Sequence, residues 1–355
     1  MRILITGVCG FAGSSVAETL LERRQGLSIS GIDNLARPGS ERNRQRLRSL
    51  GIGFVHGDIR AESDLENLPP ADWVIDAAAN PSVLAGVQGA GSSRQLFEHN
   101  LAAALNVLEY CKRHKAGLVL LSSSRVYSIP ALRALPLHVS GDAFQLDGSK
   151  ALPPGVSCKG IGPGFSTSAP ISLYGSTKLA SELVAREYGE AFGFPVWIDR
   201  CGVLAGAGQF GTAEQGIFAY WVNAHLRKRP LRYIGFDGGG KQVRDAFHPR
   251  DLAALIDAQM DSTRSGGRRV YTAGGGVENA MSLAQLTAWC EKRFGAHAVT
   301  ADPRERAYDV PWVVMDSSAA ESDFAWRPET PLEGILDEIA RHAARHPDWL
   351  ESVGL

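Results

Sequence analysis

The stretch ITGVCGFAGSSV, residues 5–16, decides the fold, because it joins an apolar strand to a helix through a glycine-rich turn. Gly7, Gly10 and Gly13 follow the spacing G-x-x-G-x-x-G, and Phe11 lies between the last two. A backbone without Cβ atoms can turn tightly and approach a pyrophosphate, to which the following helix presents its N-terminal N–H groups. The stretch predicts a dinucleotide site, although a purely structural turn could carry the same glycines.

Strands and helices alternate around this turn through the first 120 residues. We predict strands over 2–6, 27–33, 53–59, 73–79 and 117–124, and helices from about Ser14 to Arg24 and over 96–114. This order is typical of a parallel sheet with right-handed crossovers. We therefore expect an α/β protein with a Rossmann-type doubly wound parallel sheet, followed by a smaller, mixed α/β C-terminal lobe.

The alternation is interrupted at residues 128–170, which are rich in Pro, Gly and Ser. We expect an irregular insertion there, and loops of that length are usually functional or disordered. A helix near Tyr174 and a strand over 195–201 then restore the pattern. The predicted domains are a dinucleotide-binding domain over 1–204 and a substrate-binding lobe over 205–355, which we expect to be interwoven with the first.

The predicted strands over 27–33, 53–59 and 73–79 each end in residues suited to a dinucleotide. These are Asp33 and Asn34, Asp58 and Ile59, and Ala78 and Ala79. The Asp33 carboxylate can accept both hydroxyls of an adenosine ribose and would repel a 2′-phosphate, which favours NAD over NADP. Asp58 and Ile59 are expected to contact the adenine edge, and the two small alanines to let the backbone pass close to the cofactor.

The stretch ISLYGSTKLASE, residues 171–182, places Tyr174 and Lys178 one helical turn apart, so both side chains share a face. A lysine ammonium beside a phenol favours the phenolate, which can then accept a proton near neutral pH. The pattern Y-x-x-x-K is short and common, so a surface tyrosine and a solvated lysine would satisfy it as well. Other motifs in the sequence are needed to distinguish the two interpretations.

Composition excludes several classes of partner. Lys plus Arg number 37 against 38 Asp plus Glu, so no excess charge indicates nucleic acid or an anionic membrane. The five cysteines are scattered and the chain opens directly into a strand, from which we expect a reduced, cytoplasmic protein without a signal peptide. His342 and His346 are interpreted as the solvated face of a helix, and no metal site is proposed.

Together the segments TGVCGFAG, IDN, GDIR, SSSRVY and YGSTK, in this order, resemble the extended short-chain dehydrogenase/reductase family in its nucleotide-sugar epimerase and dehydratase branch. The resemblance covers essentially the whole chain and implies NAD as cofactor and a nucleotide-diphosphate sugar as substrate. It implies that Ser123 joins Tyr174 and Lys178 as the catalytic set, and that Asn100 supports the cofactor site. It further implies a homodimer formed through the helices after Asn100 and Tyr174.

A narrower resemblance, to epimerases that invert carbon 2 of a CDP-sugar, rests on three further segments and on the insertion. The segments are DNLARPGSERN, GQFGTAEQG and GGKQVRDAFHPRDL, and fifty residues separate Ser123 from Tyr174. Ser124 and Arg125 stand where the dehydratases of the family carry Asp and Glu, so elimination of water lacks its proton carriers. The CDP-sugar group carries Thr, Asn and Lys where this chain has Ser123, Ser124 and Arg125.

The resemblance also assigns residues to the substrate. Arg244 and Arg306 match the family's arginines for the diphosphate, a role that suits the bidentate guanidinium. An inter-lobe or surface salt bridge is the alternative for each. Ser124 and Arg125 are expected near the sugar, as is Gln209.

Two other functions use the same motifs. A nucleotide-sugar dehydrogenase or reductase would carry the same Ser–Tyr–Lys set but transfer hydride in one direction only. A non-catalytic dinucleotide-binding sensor would share the fold, but such proteins commonly lose the Tyr or the Lys, and this chain has both. The sequence therefore favours an NAD-dependent nucleotide-sugar epimerase that works through a transient keto intermediate.

Overall fold

The computed structural model describes residues 1–87, 92–262, 264 and 267–352. Its strands are β1 Arg2–Thr6, β2 Ser28–Asp33, β3 Gly53–His56, β4 Trp73–Asp76, β5 Gly117–Ser123, β6 Leu137–Ser140, β7 Ala143–Leu146, β8 Val156–Ser157, β9 Gly160–Ile161, β10 Val196–Cys201, β11 Val203–Leu204, β12 Leu231–Ile234, β13 Val243–Phe247, β14 Val270–Ala273, β15 Ala280–Ser282, β16 Val299–Asp302 and β17 Trp312–Val313. Its helices are α1 Phe11–Arg23, α2 Asn43–Ser49, α3 Glu62–Glu66, α4 Ser93–Phe97, α5 Ala103–His114, α6 Ile129–Arg133, α7 Leu173–Phe192, α8 Ile217–Leu226, α9 Pro249–Met260, α10 Leu283–Phe294, α11 Ser318–Phe324, α12 Leu332–Arg345 and α13 Trp349–Ser352.

A seven-stranded sheet with the order β14-β10-β5-β4-β1-β2-β3 forms the centre of the molecule, and every pairing in it is parallel. Helices α1 and α9 cover one face, and α5 and α7 cover the other. Strands enclosed on both sides are apolar almost throughout, which explains runs such as RILIT and WVID. The predicted α/β fold with a doubly wound parallel sheet is confirmed.

The predicted strands and helices differ from the observed ones mainly at their ends. Helix α1 begins at Phe11 rather than near Ser14, because Gly10 takes the N-cap position. Strands β3 and β4 end at His56 and Asp76, so the residues that follow them are loops at the edge of the sheet. The predicted helix over 96–114 begins earlier, with α4, and contains a π-helical turn over Glu98–Ala102.

The C-terminal part of the chain builds a smaller lobe and also returns to the central sheet. Helices α8, α10 and α12 pack around a shared apolar cluster next to the β11-β13-β15 sheet. Strand β14 and helix α9, which come from the same half of the sequence, belong to the central sheet and its covering layer. The two parts of the chain are therefore interwoven, and the boundary at residue 204 stays a prediction.

The expectation of an irregular segment at 128–170 is wrong in part, because turns and loops there alternate with short regular elements. This insertion contains α6, an antiparallel β6–β7 hairpin and the short β8–β9 pair. Its apolar side chains explain the order, because Leu132, Ile161 and Phe165 are buried against Trp312 and Met315. The Pro and Gly residues interrupt the regular elements of the segment, while the apolar residues between them pack against the rest of the protein.

Among the described residues, none of the helices combines the length and apolarity required to cross a membrane.

Candidate active site

One cavity of about 970 Å³ lies where the carboxyl edge of the central sheet faces the smaller lobe. Parallel strands place their carboxyl ends at one edge, so residues distant in sequence meet there. Nearly all of the predicted site residues line this cavity. They are Gly7, Gly10, Phe11, Gly13, Asp33, Asn34, Asp58, Ile59, Ala78, Ala79, Ser123, Ser124, Arg125, Tyr174, Lys178, Gln209, Arg244 and Arg306.

The glycine-rich turn is packed so tightly that side chains would not fit. A Cβ on Gly13 would lie 2.3 Å from the Gly7 carbonyl oxygen, and one on Gly7, whose φ is +64°, would lie 2.9 Å from the Ala78 Cα. Gly10 caps α1 without any side-chain bond to the first turn of the helix. The N–H groups of that turn therefore face the cavity with room for a diphosphate, as NAD requires.

The Asp33 carboxylate is held in a fixed orientation at the end of β2. Its Oδ2 accepts a hydrogen bond from the Cys9 N–H at 2.9 Å, and its Oδ1 accepts one from the Leu35 N–H at 2.8 Å. Burial raises the pKa of Asp33, and these backbone donors partly oppose that effect. Each carboxylate oxygen keeps a further lone pair, so the group can still accept the two hydroxyls of a ribose.

Asp58, at the next strand end, is already engaged by protein groups. Arg60 donates to both of its oxygens, with a shortest contact of 2.6 Å, and the Asn34 Nδ2 donates to Oδ2 at 3.0 Å. The hydrogen bonds from Arg60 are the main reason that the pKa of Asp58 lies below its usual range. Arg60 and His99 line the same part of the cavity, and the sequence analysis named neither of them.

Tyr174 and Lys178 are both buried on the first turns of α7. The Lys178 ammonium donates to the Leu121 carbonyl oxygen on β5 at 2.9 Å, which fixes it at the centre of the cavity wall. The helix begins where it does because the Ser172 hydroxyl caps it and accepts from the Gly175 N–H at 3.1 Å. The one-turn spacing thus brings the phenol and the ammonium to the same cavity.

The two consecutive serines at the end of β5, Ser122 and Ser123, have different orientations. The Ser122 hydroxyl donates to the buried Glu182 Oε1 at 2.5 Å, which directs it into the protein behind the sheet. The Ser123 hydroxyl accepts from the Arg125 N–H at 3.2 Å and keeps its own proton available. Of the two, Ser123 is the one free to donate to a ligand oxygen.

A close contact brings the turn after β5 against α7. A Cβ on Gly175 would lie 2.3 Å from the Arg125 carbonyl oxygen, so only glycine allows this approach. On the far side, Glu182 of α7 and Arg200 of β10 form a buried ion pair with a shortest N–O distance of 2.7 Å. These two contacts set the position of α7 relative to Ser123.

Asn100 does not line the cavity. Its Nδ2 donates to the Asn80 carbonyl oxygen at 3.0 Å and to the Thr177 hydroxyl at 3.1 Å, and its Oδ1 accepts from the Asn80 N–H. Asn80 lines the cavity and Thr177 belongs to α7. Asn100 therefore connects the cavity wall to that helix. Direct contact between Asn100 and the cofactor stays a prediction.

Three arginines converge on the substrate side of the cavity. Arg244 donates to the Val310 carbonyl oxygen at 2.9 Å and faces Asp309 at 3.4 Å, and Arg125 donates to the Tyr308 carbonyl oxygen at 3.2 Å. Burial lowers the pKa of Arg244 and of Arg125. The positive charge of Arg306 lowers both further, and that of Arg244 also disfavours the charge on Arg125. Three guanidinium groups outnumber the two nearby carboxylates, Asp309 and Asp245, so the region suits a diphosphate.

The remaining predicted substrate residues have looser settings. Among the residues that the structure describes, Arg306 makes one bond, from its Nη2 to the Ala213 carbonyl oxygen at 3.2 Å, which leaves most of its donors available. The Gln209 Nε2 donates to the Leu204 carbonyl oxygen at 2.6 Å, which leaves its Oε1 for another partner. Arg37 also lines the cavity and was not predicted from the sequence.

Comparison with known proteins identifies the family. Residues 3–274 match the model of the NAD dependent epimerase/dehydratase family, so the chain belongs to that family and is an enzyme of the extended short-chain dehydrogenase/reductase type that uses NAD. The chain is 28% identical to the CDP-paratose 2-epimerase of Salmonella typhi, with 99% of this chain and 100% of the relative covered. It is 25% identical to the UDP-glucuronate 4-epimerase 2 of Arabidopsis thaliana, with 96% and 75% covered.

Solved structures agree on the fold. The UDP-glucuronic acid 4-epimerase of Bacillus cereus, in complex with UDP-glucuronic acid and NAD, superposes with a TM-score of 0.75 at 23% identity and covers 97% of this chain and 99% of its own. The UDP-glucose 4-epimerase of Thermus thermophilus in complex with NAD gives 0.73 at 24% identity, with 97% and 99% covered. The resemblance inferred from the sequence motifs is confirmed at the level of the family.

Proposed function

We propose that this enzyme inverts carbon 2 of a CDP-activated sugar through a transient ketone, with NAD regenerated in every turnover. The observation that carries the proposal is one cavity that joins a dinucleotide cradle, the Ser123, Tyr174 and Lys178 set, and a group of half-buried arginines. Each of these parts alone occurs in other proteins. Their meeting in one cavity fits a bound cofactor on one side and an anionic sugar nucleotide on the other.

The catalytic residues have distinct roles in this proposal. NAD, held by the glycine-rich turn and Asp33, would supply a reversible hydride acceptor beside the reacting carbon. Tyr174 removes the proton of the reacting hydroxyl and returns it after the ketone has presented its other face. Ser123 donates a hydrogen bond to the reacting oxygen, and Lys178, fixed on the Leu121 carbonyl oxygen, is assigned to hold the nicotinamide ribose.

The choice of CDP and of carbon 2 rests on sequence similarity and on the departures from the dehydratase pattern. The Salmonella typhi relative matches over the full length of both chains. Ser124 and Arg125 leave the cavity without the Asp–Glu pair that elimination of water needs. We assign Arg244 and Arg306 to the diphosphate, which would put the reacting sugar between them and Tyr174.

The decisive experiment uses CDP-paratose carrying deuterium at carbon 2, with UDP-glucuronate as the competing substrate. We expect NMR to show inversion at carbon 2 with the deuterium retained, because the hydride returns to the carbon that it left. If the enzyme instead acts only on UDP-glucuronate and inverts its carbon 4, the assignment of CDP and of carbon 2 is wrong. Stoichiometric reduction of added NAD, followed by absorbance, would identify a net dehydrogenase and refute the epimerase.

We also propose that the enzyme is a homodimer formed through α5 and α7. These helices pack side by side and expose Leu105 and Leu183, whose exposed fractions are 38% and 59%. Apolar side chains of this size on adjacent helices are suited to contact with a second copy. Light scattering should give twice the mass of one chain, and Leu183→Glu should shift the protein toward the monomer. A monomeric native protein would refute the proposal.

A further inference from the structure

Residues 205–216, which we call the cover segment, connect β11 to α8 and form part of the cavity wall. Within the described chain, the backbone hydrogen bonds of 206–215 stay inside the segment, and Ala205 bonds to the Phe247 carbonyl oxygen at its start. Side chains make the other polar links to the rest of the protein. The position of such a segment depends on those few contacts, because no sheet or helix fixes it.

The first link lies on the cofactor side. Arg37 follows Asp33 by four residues and belongs to the loop after β2, which lines the cavity. Its Nη2 donates to the Phe210 carbonyl oxygen at 2.5 Å, and its Nη1 donates to the Gln215 Oε1 at 3.2 Å. One guanidinium therefore holds both halves of the cover segment against the loop that follows Asp33.

The second link comes from the C-terminal helix α13. The Trp349 indole donates from Nε1 to the Gln209 carbonyl oxygen at 2.9 Å and stacks on Phe210, with 5.5 Å between ring centroids. Trp349 and Phe210 are 6% and 4% exposed, and Phe11 of the glycine-rich turn packs against both. This aromatic group thus connects the cover segment directly to the turn that faces the cofactor diphosphate.

From these contacts we infer that Arg37 and Trp349 are positioning residues that close the cover segment over the adenosine half of NAD and set how long the cofactor stays bound. An enzyme that returns its hydride to the same sugar needs a cofactor that outlasts many turnovers, and in this respect the inference rests on the proposed function. A net dehydrogenase would need the opposite, a segment that opens in each cycle. The contacts themselves do not depend on which sugar is bound.

The test is an isotope chase on the full-length protein, without any substrate. The enzyme is loaded with deuterated NAD, an excess of unlabelled NAD is added, and the label that remains bound is measured by mass spectrometry after denaturation. Arg37→Ala and Trp349→Ala should each release NAD roughly tenfold faster, the change expected from losing about 1.4 kcal/mol of closure free energy. Arg37→Lys and Trp349→Phe should have intermediate effects, since each keeps part of the contact.

Trp289→Phe is the matched control, because Trp289 also donates its indole N–H, to Glu333, but lies outside the cavity. Its release rate should equal that of the native protein, and thermal melting identifies any variant that does not fold. Equal release rates in the native protein and in the folded Arg37 and Trp349 variants would overturn the inference. Because the chase involves no turnover, that outcome is separate from a failure of the proposed reaction, which the labelled sugar reports.

Discussion

The two walls of the cavity are built in different ways. The catalytic wall fixes Tyr174 and Lys178 through the backbone of β5 and α7 and through buried contacts behind them. The opposite wall holds Arg244 and Arg306 by hydrogen bonds to loop carbonyls, and within the described chain the half-buried Arg306 has one such bond. The first arrangement suits chemistry, which needs fixed geometry, and the second suits binding, which tolerates adjustment. Substitutions on the two walls should therefore affect different kinetic constants.

Tyr174→Phe should have the largest effect on the reaction. Without the phenolic oxygen there is no proton acceptor, and kcat should fall by about three orders of magnitude, within the range for loss of a general base. Binding of NAD should persist, because the glycine-rich turn and Asp33 are untouched. Turnover by NMR and NAD content after denaturation measure the two properties. Activity close to that of the native enzyme would mean that another group accepts the proton.

Glu182→Gln tests whether the catalytic wall depends on its buried support. The variant leaves the Arg200 guanidinium without its carboxylate in a buried position, which should lower the free energy of unfolding by about 3 kcal/mol. Urea denaturation measures the difference. Glu187→Gln, an exposed position on the same helix, is the control and should change stability little. Equal stability of the two variants would show that the ion pair contributes nothing to the wall.

The contrast between the walls also explains what the sequence could predict. The catalytic wall and the glycine-rich turn are encoded in short segments, because the local backbone decides which residues face the cavity. Ser123 was chosen over Ser122 only by resemblance, and its physical reason, the bond from Ser122 to Glu182 sixty positions away, is tertiary. Arg37 lies in the motif DNLARPGSERN, but the motif alone predicts no role for it, because its partners lie in the cover segment.

The insertion shows the same limit. Its Pro and Gly content indicated loops, but the buried contacts of Ile161 and Phe165 with residues beyond 310 order it. The sequence of residues 128–170 does not by itself predict those distant contacts. Local composition therefore gave the wrong structure here, where order depends on contacts across more than a hundred residues.

Arg244→Gln tests the substrate wall. Loss of a charge-assisted contact with the diphosphate should raise KM for the sugar nucleotide roughly tenfold, with a much smaller change in kcat. Arg304→Gln is the control, because Arg304 belongs to the same lobe but pairs with Asp302 and does not line the cavity. Steady-state kinetics separates the constants. A collapse of kcat at unchanged KM would place Arg244 in the chemistry rather than in binding.

Gly175→Ala should have the smallest effect on stability and the most informative effect on the catalytic wall. The new Cβ would lie 2.3 Å from the Arg125 carbonyl oxygen, so α7 must move away from the turn that carries Ser123. Overpacking costs about 1–3 kcal/mol, and the better helix propensity of alanine returns up to about 1 kcal/mol, so the net loss should be about 1 kcal/mol. Because Tyr174 moves with the helix, kcat should fall more than this stability change suggests.

Gly148→Ala controls for the substitution itself. A Cβ at Gly148 meets no atom within 4 Å, and its φ lies outside the region that favours glycine, so both stability and kcat should stay at native values. If Gly175→Ala also retains native kcat, the distance between α7 and the Ser123 turn is not critical, and the catalytic wall is as adaptable as the wall that faces it. A loss confined to Gly175→Ala would instead show that the glycine inside the Tyr–Lys motif sets the catalytic geometry, because only there does the backbone contact connect the two halves of the catalytic set.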